Sequence, residues 1–252
     1  MSEALWYGTS KQDYSNNNTR YYNVSDYSWA SDIEKNWPII KEEVQNFIAE
    51  KDNVFVSNAI AYKGITSAKG WSSLSSMFWG LYSNNEPAQK CPTLFNMLYK
   101  VPGIVSISFS RLEPQTKINE HHGETNAIIR CHMGIEVPAG LPLCGMKVAG
   151  EEKCWEEGKW LFFNDAQNHF AWNNTDKRRI ILIVDVIRPE FINRKNAICA
   201  RVLTEYAMGQ RENKYSSVKN LPEGVKKLLV MIAIPIVYVI RPVSNLLKGN
   251  AN

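Results

Sequence analysis

From Gly103 onward the chain breaks into short runs of β-branched and aromatic residues fenced by turn formers. The runs are Ile104–Ser110, Ala127–Val137, Met146–Val148, Trp160–Phe163 and Ile180–Val186, with Pro114, Pro138, Gly140, Gly150 and Gly158 between them. Short strands so punctuated pair through hairpins, and their regular spacing leads to an antiparallel sandwich or barrel. The expected fold is mainly β, a jelly-roll (cupin-like) barrel with helices at its flanks. At 252 residues the chain supports one principal domain plus appendages.

The first 30 residues, rich in Tyr, Asn and Ser, read as an arm. Residues 31–190 form the expected domain, with a helical lead-in over 31–102 and the β-barrel over 103–190. In the lead-in, Asp32 is placed to cap a helix whose apolar positions Ile33, Trp37, Ile40, Val44 and Phe47 recur at helical spacing, although Pro38 interrupts it. A second helical stretch is expected over Thr93–Tyr99, before the Pro102-Gly103 turn. Residues 191–252 form a basic extension containing Leu228–Ile240, in which only Pro235 is neither apolar nor aromatic. Thirteen such residues fall short of the roughly twenty that cross a bilayer. With Lys226, Lys227 and Arg241 at its flanks, the segment 226–241 suits a membrane surface, or else packs on the domain or on a second subunit.

The net charge of +4 is concentrated in that extension, where ten Lys/Arg meet three acidic residues and leave the rest of the chain net negative. Such a field suits an anionic membrane better than nucleic acid, which nothing else in the sequence favours. Five scattered cysteines without a CxxC pair predict free thiols, and the polar N-terminus has no apolar leader, so a cytoplasmic location is expected, membrane-associated through the tail.

All four histidines, His121, His122, His132 and His169, fall within one β-rich stretch of the sequence. A single histidine on a strand is commonly a satisfied core residue; four gathered at strand ends favour a metal site. Non-haem iron oxygenases pair an H-x-D/E stretch with a distant histidine, leaving open positions on the metal. Here His121-His122-Gly123-Glu124 permits two readings. Either His122, Glu124 and His169 form a triad, or His121 and His169 bind alone with Gly123 where a carboxylate would stand. Strand alternation puts the two sets on opposite faces, so they exclude each other.

Arg179, ten residues after His169, opens an apolar strand and can grip a carboxylate through paired hydrogen bonds, although an arginine snorkelling at a strand edge would look the same. Arg130 and His132 share one strand face, and Ser110 ends the strand before the histidine pair.

The segments His121–Asn126, Arg130–Gly134, Trp155–Lys159, Asn168–Asn173 and Arg179–Val186, followed by Arg188-Pro189-Glu190, match in order and spacing a pattern that resembles the aspartyl/asparaginyl β-hydroxylase family. The resemblance covers roughly Cys91 to Glu190. It implies a double-stranded β-helix and a reaction using Fe(II), the co-substrate 2-oxoglutarate and O2, which hydroxylates an unactivated C–H bond and releases succinate and CO2. It also implies iron held by two histidines without a carboxylate, and its H-x-G-x-T-N pattern selects His121 with His169. Carried over by position, Arg179 and Ser110 would hold the distal carboxylate of 2-oxoglutarate, and Arg130 with His132 its metal-side carboxylate. A tryptophan near the co-substrate is implied, with Trp71 and Trp79 both in range.

For the prime substrate the resemblance favours the β-carbon of an aspartyl or asparaginyl residue in a peptide or protein. The helical-repeat region that precedes the domain in the animal enzymes is absent from this sequence, and the apolar tail fits better the family's lipid hydroxylases, which act on acyl chains at a membrane. A barrel that only binds, without catalysis, is the reading from another class, and the intact set of histidines and arginines speaks against it.

Overall fold

A computed structural model describes residues 3–9, 14, 19–50, 55–57 and 70–247. Short strands and helices lead into the barrel: β1 (Tyr21–Tyr22), α1 (Ser28–Lys35), α2 (Trp37–Glu50), β2 (Val56–Ser57), β3 (Trp71–Phe78), β4 (Leu81–Tyr82), α3 (Glu86–Lys90) and α4 (Pro92–Leu98). The barrel itself runs through β5 (Ile104–Leu112), β6 (Thr116–His121), β7 (Ile128–Glu136), β8 (Cys144–Val148), β9 (Glu151–Lys153), β10 (Trp160–Phe163), β11 (His169–Asn173) and β12 (Arg179–Ile187). The helices α5 (Lys195–Lys214), α6 (Ser216–Lys219) and α7 (Glu223–Leu247) follow.

The strands form two antiparallel sheets, one in the order β1-β10-β7-β12-β5-β3-β2 with β4 on β3, the other β6-β11-β8-β9. From β5 to β12 the chain passes back and forth between them, so that β5, β7, β10 and β12 lie in the large sheet and β6, β8, β9 and β11 in the small one. That alternation is the double-stranded β-helix, and full pairing of the central strands removes the backbone edges that would otherwise invite aggregation.

Period-two alternation along β5 separates two environments. Ile107 and Phe109 point outward into an apolar layer with Ile40, Val44, Phe47 and Leu94 of the helices, while Ser106, Ser108 and Ser110 point between the sheets and line a cavity. Fully burying an aliphatic or aromatic side chain of this outer layer stabilises the domain by about 1.5–3 kcal/mol. One end of the inter-sheet space is filled by Ile118, Met146, Val148, Trp155, Phe163 and Ile181. The cavity occupies the rest.

Several elements differ from the sequence expectations, each for a physical reason. The helix expected to be capped at Asp32 is two helices, broken at Asn36 (φ −90°, ψ 8°). Asp32 lies inside α1, and Pro38 sits in the first turn of α2, where its missing N–H leaves no bond unmade. The lead-in is not purely helical, because β3 pairs with β5 along its length and joins the large sheet. Its sequence, Trp-Ser-Ser-Leu-Ser-Ser-Met-Phe, carries serines on the cavity face where apolar residues would have betrayed a strand. The arm is partly ordered: Trp6 and Ala4 bond to the side chain of Asn126, the Thr125 hydroxyl donates to Trp6 O, and Glu3 pairs with Arg188 at 2.7 Å. The apolar run 228–240 belongs to a 25-residue helix that is long and apolar enough, by length and composition, to cross a membrane. All five cysteines are free.

Candidate active site

His121 ends β6 and His169 begins β11, and the two residues are direct partners across the small sheet. Their ring centres lie 4.2 Å apart. Two imidazoles bound side by side to one metal at about 2.1 Å have ring centres about 4.5 Å apart, so the pair is already spaced for a shared ion. Each Nδ1–H donates at 2.8 Å to a carbonyl two residues earlier, Asn119 O for His121 and Gln167 O for His169. Those bonds fix the tautomer and leave each Nε2 as the lone-pair nitrogen. Burial pushes the His121 imidazolium down to about 4, with Arg130 and His122 adding to the effect, and burial together with His121 holds His169 well below the ordinary value. Both rings are therefore neutral at physiological pH, the form a metal requires. His122, just past the end of β6, is exposed and packs edge-on against Trp6, and with Glu124 it also borders the cavity that holds His121 and His169.

The same cavity, of about 590 Å3, holds a cluster of unspent donors. Arg179 is buried to 1% exposure, and its Nε has no hydrogen-bond partner among the described residues. Its NH1 donates to Ser110 O at 3.3 Å, and its guanidinium lies 4.6 Å over the ring of Trp155. With no carboxylate nearby, burial lowers its pKa to about 10. An unpaired buried cation is costly, and a carboxylate entering the cavity would relieve that cost. Trp155 Nε1–H donates to His132 Nδ1 at 3.2 Å, which makes Nε2 the protonated nitrogen of His132, and that atom is buried without a partner among the described residues. Trp71 Nε1–H donates to Ser110 Oγ at 3.1 Å, leaving the serine hydroxyl proton to serve as a donor.

Gly123, where a carboxylate ligand would stand in an H-x-D/E site, is pressed against Asp165. A Cβ at position 123 would lie 1.6 Å from Asp165 Oδ2. The Gly123 N–H donates to Asp165 O at 2.7 Å, and Asp165 Oδ1 lies 3.6 Å from His169 Nε2. Arg130 binds Asp165 Oδ1 at 2.6 Å and clasps both oxygens of Asp185 at 2.8 and 3.0 Å. Burial nonetheless pushes the Asp165 carboxyl up to about 8, against the pull of Arg130. Among the described residues no set of three or more His, Cys, Asp or Glu side chains forms a ready metal cage.

The fold thus gathers His121, His169, Ser110, Arg130, His132 and Arg179 around one cavity. Arg130 differs from Arg179 in that three of its N–H groups already serve Asp165 and Asp185, leaving two for a ligand. Of the two candidate tryptophans, Trp71 lines the cavity and Trp79 is buried in a separate apolar cluster. Sequence reasoning missed Asp165, Asp185 and the part played by Trp155. The signal for Asp165 was available, since a glycine in a carboxylate's place raises the question of what occupies the vacated volume. Thr125 and Asn126, conspicuous in the sequence pattern, tie down the arm instead of facing the cavity. Asn173 is buried and its amide donates to the carbonyls of Leu112, Glu113 and Lys177, holding the turn into β12.

Comparison with known proteins gives the family. The aspartyl/asparaginyl beta-hydroxylase family profile matches residues 34–189. An ornithine lipid ester-linked acyl 2-hydroxylase from Rhizobium tropici is 30% identical over 192 residues, covering 75% of this chain and 68% of that protein. The human aspartyl/asparaginyl beta-hydroxylase is 31% identical over 164 residues, 63% of this chain but only 21% of the human protein's length. Among solved structures, a prolyl-4-hydroxylase from Pseudomonas putida overlays with a TM-score of 0.44 at 10% identity, covering 68% of this chain and 94% of that one.

Proposed function

The chain belongs to the aspartyl/asparaginyl β-hydroxylase family, and from that premise we propose that it is an iron(II)- and 2-oxoglutarate-dependent dioxygenase. The observation that carries the reading is the pairing, in one cavity, of two neutral histidines spaced for a single ion with a buried, unpaired Arg179. The donor set fits both groups: lone-pair nitrogens for a divalent metal, cationic and N–H donors for a dicarboxylate.

His121 and His169 would hold the metal through Nε2. Iron(II) so held, together with 2-oxoglutarate and O2, supplies the oxidation that hydroxylates an unactivated C–H bond and yields succinate and CO2. Arg179 and the Ser110 hydroxyl would grip the distal carboxylate, while Trp155 fixes His132 so that its Nε2–H points a donor at the metal-side carboxylate. The two remaining N–H groups of Arg130 would assist there. Asp165, held by Arg130 at Oδ1 and 3.6 Å from His169 Nε2, would add a polar group beside the two histidines. Phe163 and Trp155 wall the site and keep bulk water from it.

The direct test is anaerobic calorimetry of 2-oxoglutarate binding to protein loaded with manganese(II) as a redox-silent stand-in. Metal-dependent binding that is lost in Arg179→Met supports the reading, and no binding to the wild type overturns it. The prime substrate is either a peptide or protein side chain or a lipid, and one feature outside the barrel favours the second.

A further inference from the structure

The polarity of α7 runs opposite to that of a helix packed on a domain in water. At 100° per residue, Leu229, Ile232, Ile236, Val239, Ile240 and Val243 fall on one stripe about 100° wide and about 21 Å long. Each is 43–65% exposed. On the flank turned toward protein lie the cations Lys226 and Arg241. Lys226 is 8% exposed and pairs with Glu212 of α5 and Glu223, and Arg241 is 7% exposed and donates to Asn196 of α5. Asn245 Nδ2 donates to Gly80 O at 2.7 Å, in the β3–β4 turn. Water outside such a helix would reward the reverse arrangement, whereas a hydrocarbon environment rewards this one. Only 6% of its most apolar stretch is buried, so it is no core helix.

The two ends of α7 also fix its attitude. Lys226 ties one end to Glu212 near the C-terminal end of α5, and Arg241 ties the other to Asn196 at the start of α5. A helix pinned at both ends to a charged neighbour cannot thread a bilayer without dragging that neighbour into it, so length alone does not make it a span. It can lie flat with its outward flank immersed. Exposed Arg211, Lys214, Lys219 and Lys227 gather where α5, α6 and α7 turn, beside the exposed ring of Tyr215. These charges suit anionic lipid and oppose the approach of a second copy of the chain.

The helix adjoins the cavity. On its protein side Val237 packs against the buried cluster of Trp79, Val105 and Ile198, against which Phe78 and Leu81 also pack. The ring of Phe78 meets that of Tyr206 of α5 at a tilt, their centres 4.9 Å apart, and both Phe78 and Tyr206 line the cavity that holds His121 and His169.

We infer that α7 is an interfacial helix that lays the protein on an anionic membrane surface with the stripe from Leu229 to Val243 among the acyl chains, and that the cavity there receives a lipid acyl chain as the substrate's reacting part. The docking surface stands by itself; the substrate class rests on the hydroxylase reading given above.

The experiment is flotation of the full-length protein with vesicles of phosphatidylcholine and phosphatidylglycerol, against vesicles of phosphatidylcholine alone. Wild type floats with the anionic vesicles, and Ile232→Glu/Ile236→Glu binds them less by about tenfold for each side chain. Failure of the wild type to float, or equal flotation of the double variant, overturns the docking surface. Sedimentation without lipid tests the other occupant: a wild-type dimer dissolved by the same substitutions assigns the stripe to a second copy and rejects the membrane. Ile236→Trp adds a check that needs no loss of function, since its fluorescence is quenched by vesicles with brominated acyl chains if the helix inserts, and an unquenched signal contradicts insertion. Anionic vesicles should raise 2-oxoglutarate-dependent succinate formation severalfold in the wild type and not in the double variant. Flotation without that stimulation overturns the acyl substrate alone. Flotation by a protein that binds no 2-oxoglutarate overturns the hydroxylase reading and leaves the docking surface standing.

Discussion

Gly123 and Asp165 occupy one volume between them: a Cβ on the glycine would sit 1.6 Å from Oδ2 and 2.3 Å from Cγ of the aspartate. The volume that a side chain at 123 would need is filled by Asp165, from the loop before His169, held at one oxygen by Arg130. Glycine at 123 is therefore a requirement of packing.

That relationship predicts non-additive mutations. Gly123→Ala should lower stability by about 1–3 kcal/mol, as overpacking does, because Asp165 is fully buried and has nowhere to retreat. In an Asp165→Gly background, itself destabilised by loss of the Arg130 ion pair, the same substitution should cost little more, since contacting residues do not act independently. Thermal melts of the two single variants and the double variant give the coupling; simple additivity would show that the two side chains do not compete.

Arg179 separates binding from stability. Arg179→Met keeps the volume over Trp155 and removes a buried cation that has no counter-charge, so the ligand-free protein should melt no lower than the wild type. Affinity for 2-oxoglutarate should fall at least about tenfold, because a hydrogen bond to a charged group contributes about 1.5–3 kcal/mol. A variant that melts much lower and binds 2-oxoglutarate normally would make Arg179 a structural residue.

Trp155 acts on the co-substrate through His132. Trp155→Phe deletes the N–H that fixes the His132 tautomer while retaining much of the ring that faces Arg179. The expected outcome is a 2-oxoglutarate requirement raised about tenfold, the value of roughly one neutral hydrogen bond, with the metal affinity unchanged. Loss of metal binding in this variant would contradict the assignment.

His122 tests the choice between the two adjacent histidines. It is exposed and touches Trp6, so His122→Ala should leave metal binding intact and change stability by no more than about 0.5 kcal/mol. Metal affinity measured beside that of His121→Ala decides the matter, and an equally severe His122→Ala would contradict the choice of His121.

The legibility of the sequence followed what each residue's neighbours could be inferred from. The strands of the barrel read clearly because Ile107, Phe109, Leu182 and Val184 alternate or run as apolar blocks against a buried layer. Strand β3 did not, because serines stand on both of its faces, Ser73 and Ser75 toward the cavity, and erase the hydrophobic pattern that marks a strand. The histidines were legible by their clustering and Arg179 by its spacing from His169. Asp165 and Trp155 were not, because their contacts with Gly123, Arg130 and His132 cross between strands and loops far apart in sequence. The apolar run of α7 was visible, but which way its polar side chains turned depends on Glu212 and Asn196 of α5, contacts that only folding creates.

The measurement that bears most directly on the central claim is succinate formation without a prime substrate. Protein loaded anaerobically with iron(II) is given O2 and 2-oxoglutarate, and wild type is compared with His121→Ala. Slow succinate formation that needs iron and disappears in His121→Ala is the result expected of a metal held by His121 and His169. Succinate formed at the same rate by His121→Ala, or no turnover by a wild type that also fails to bind 2-oxoglutarate, would contradict it.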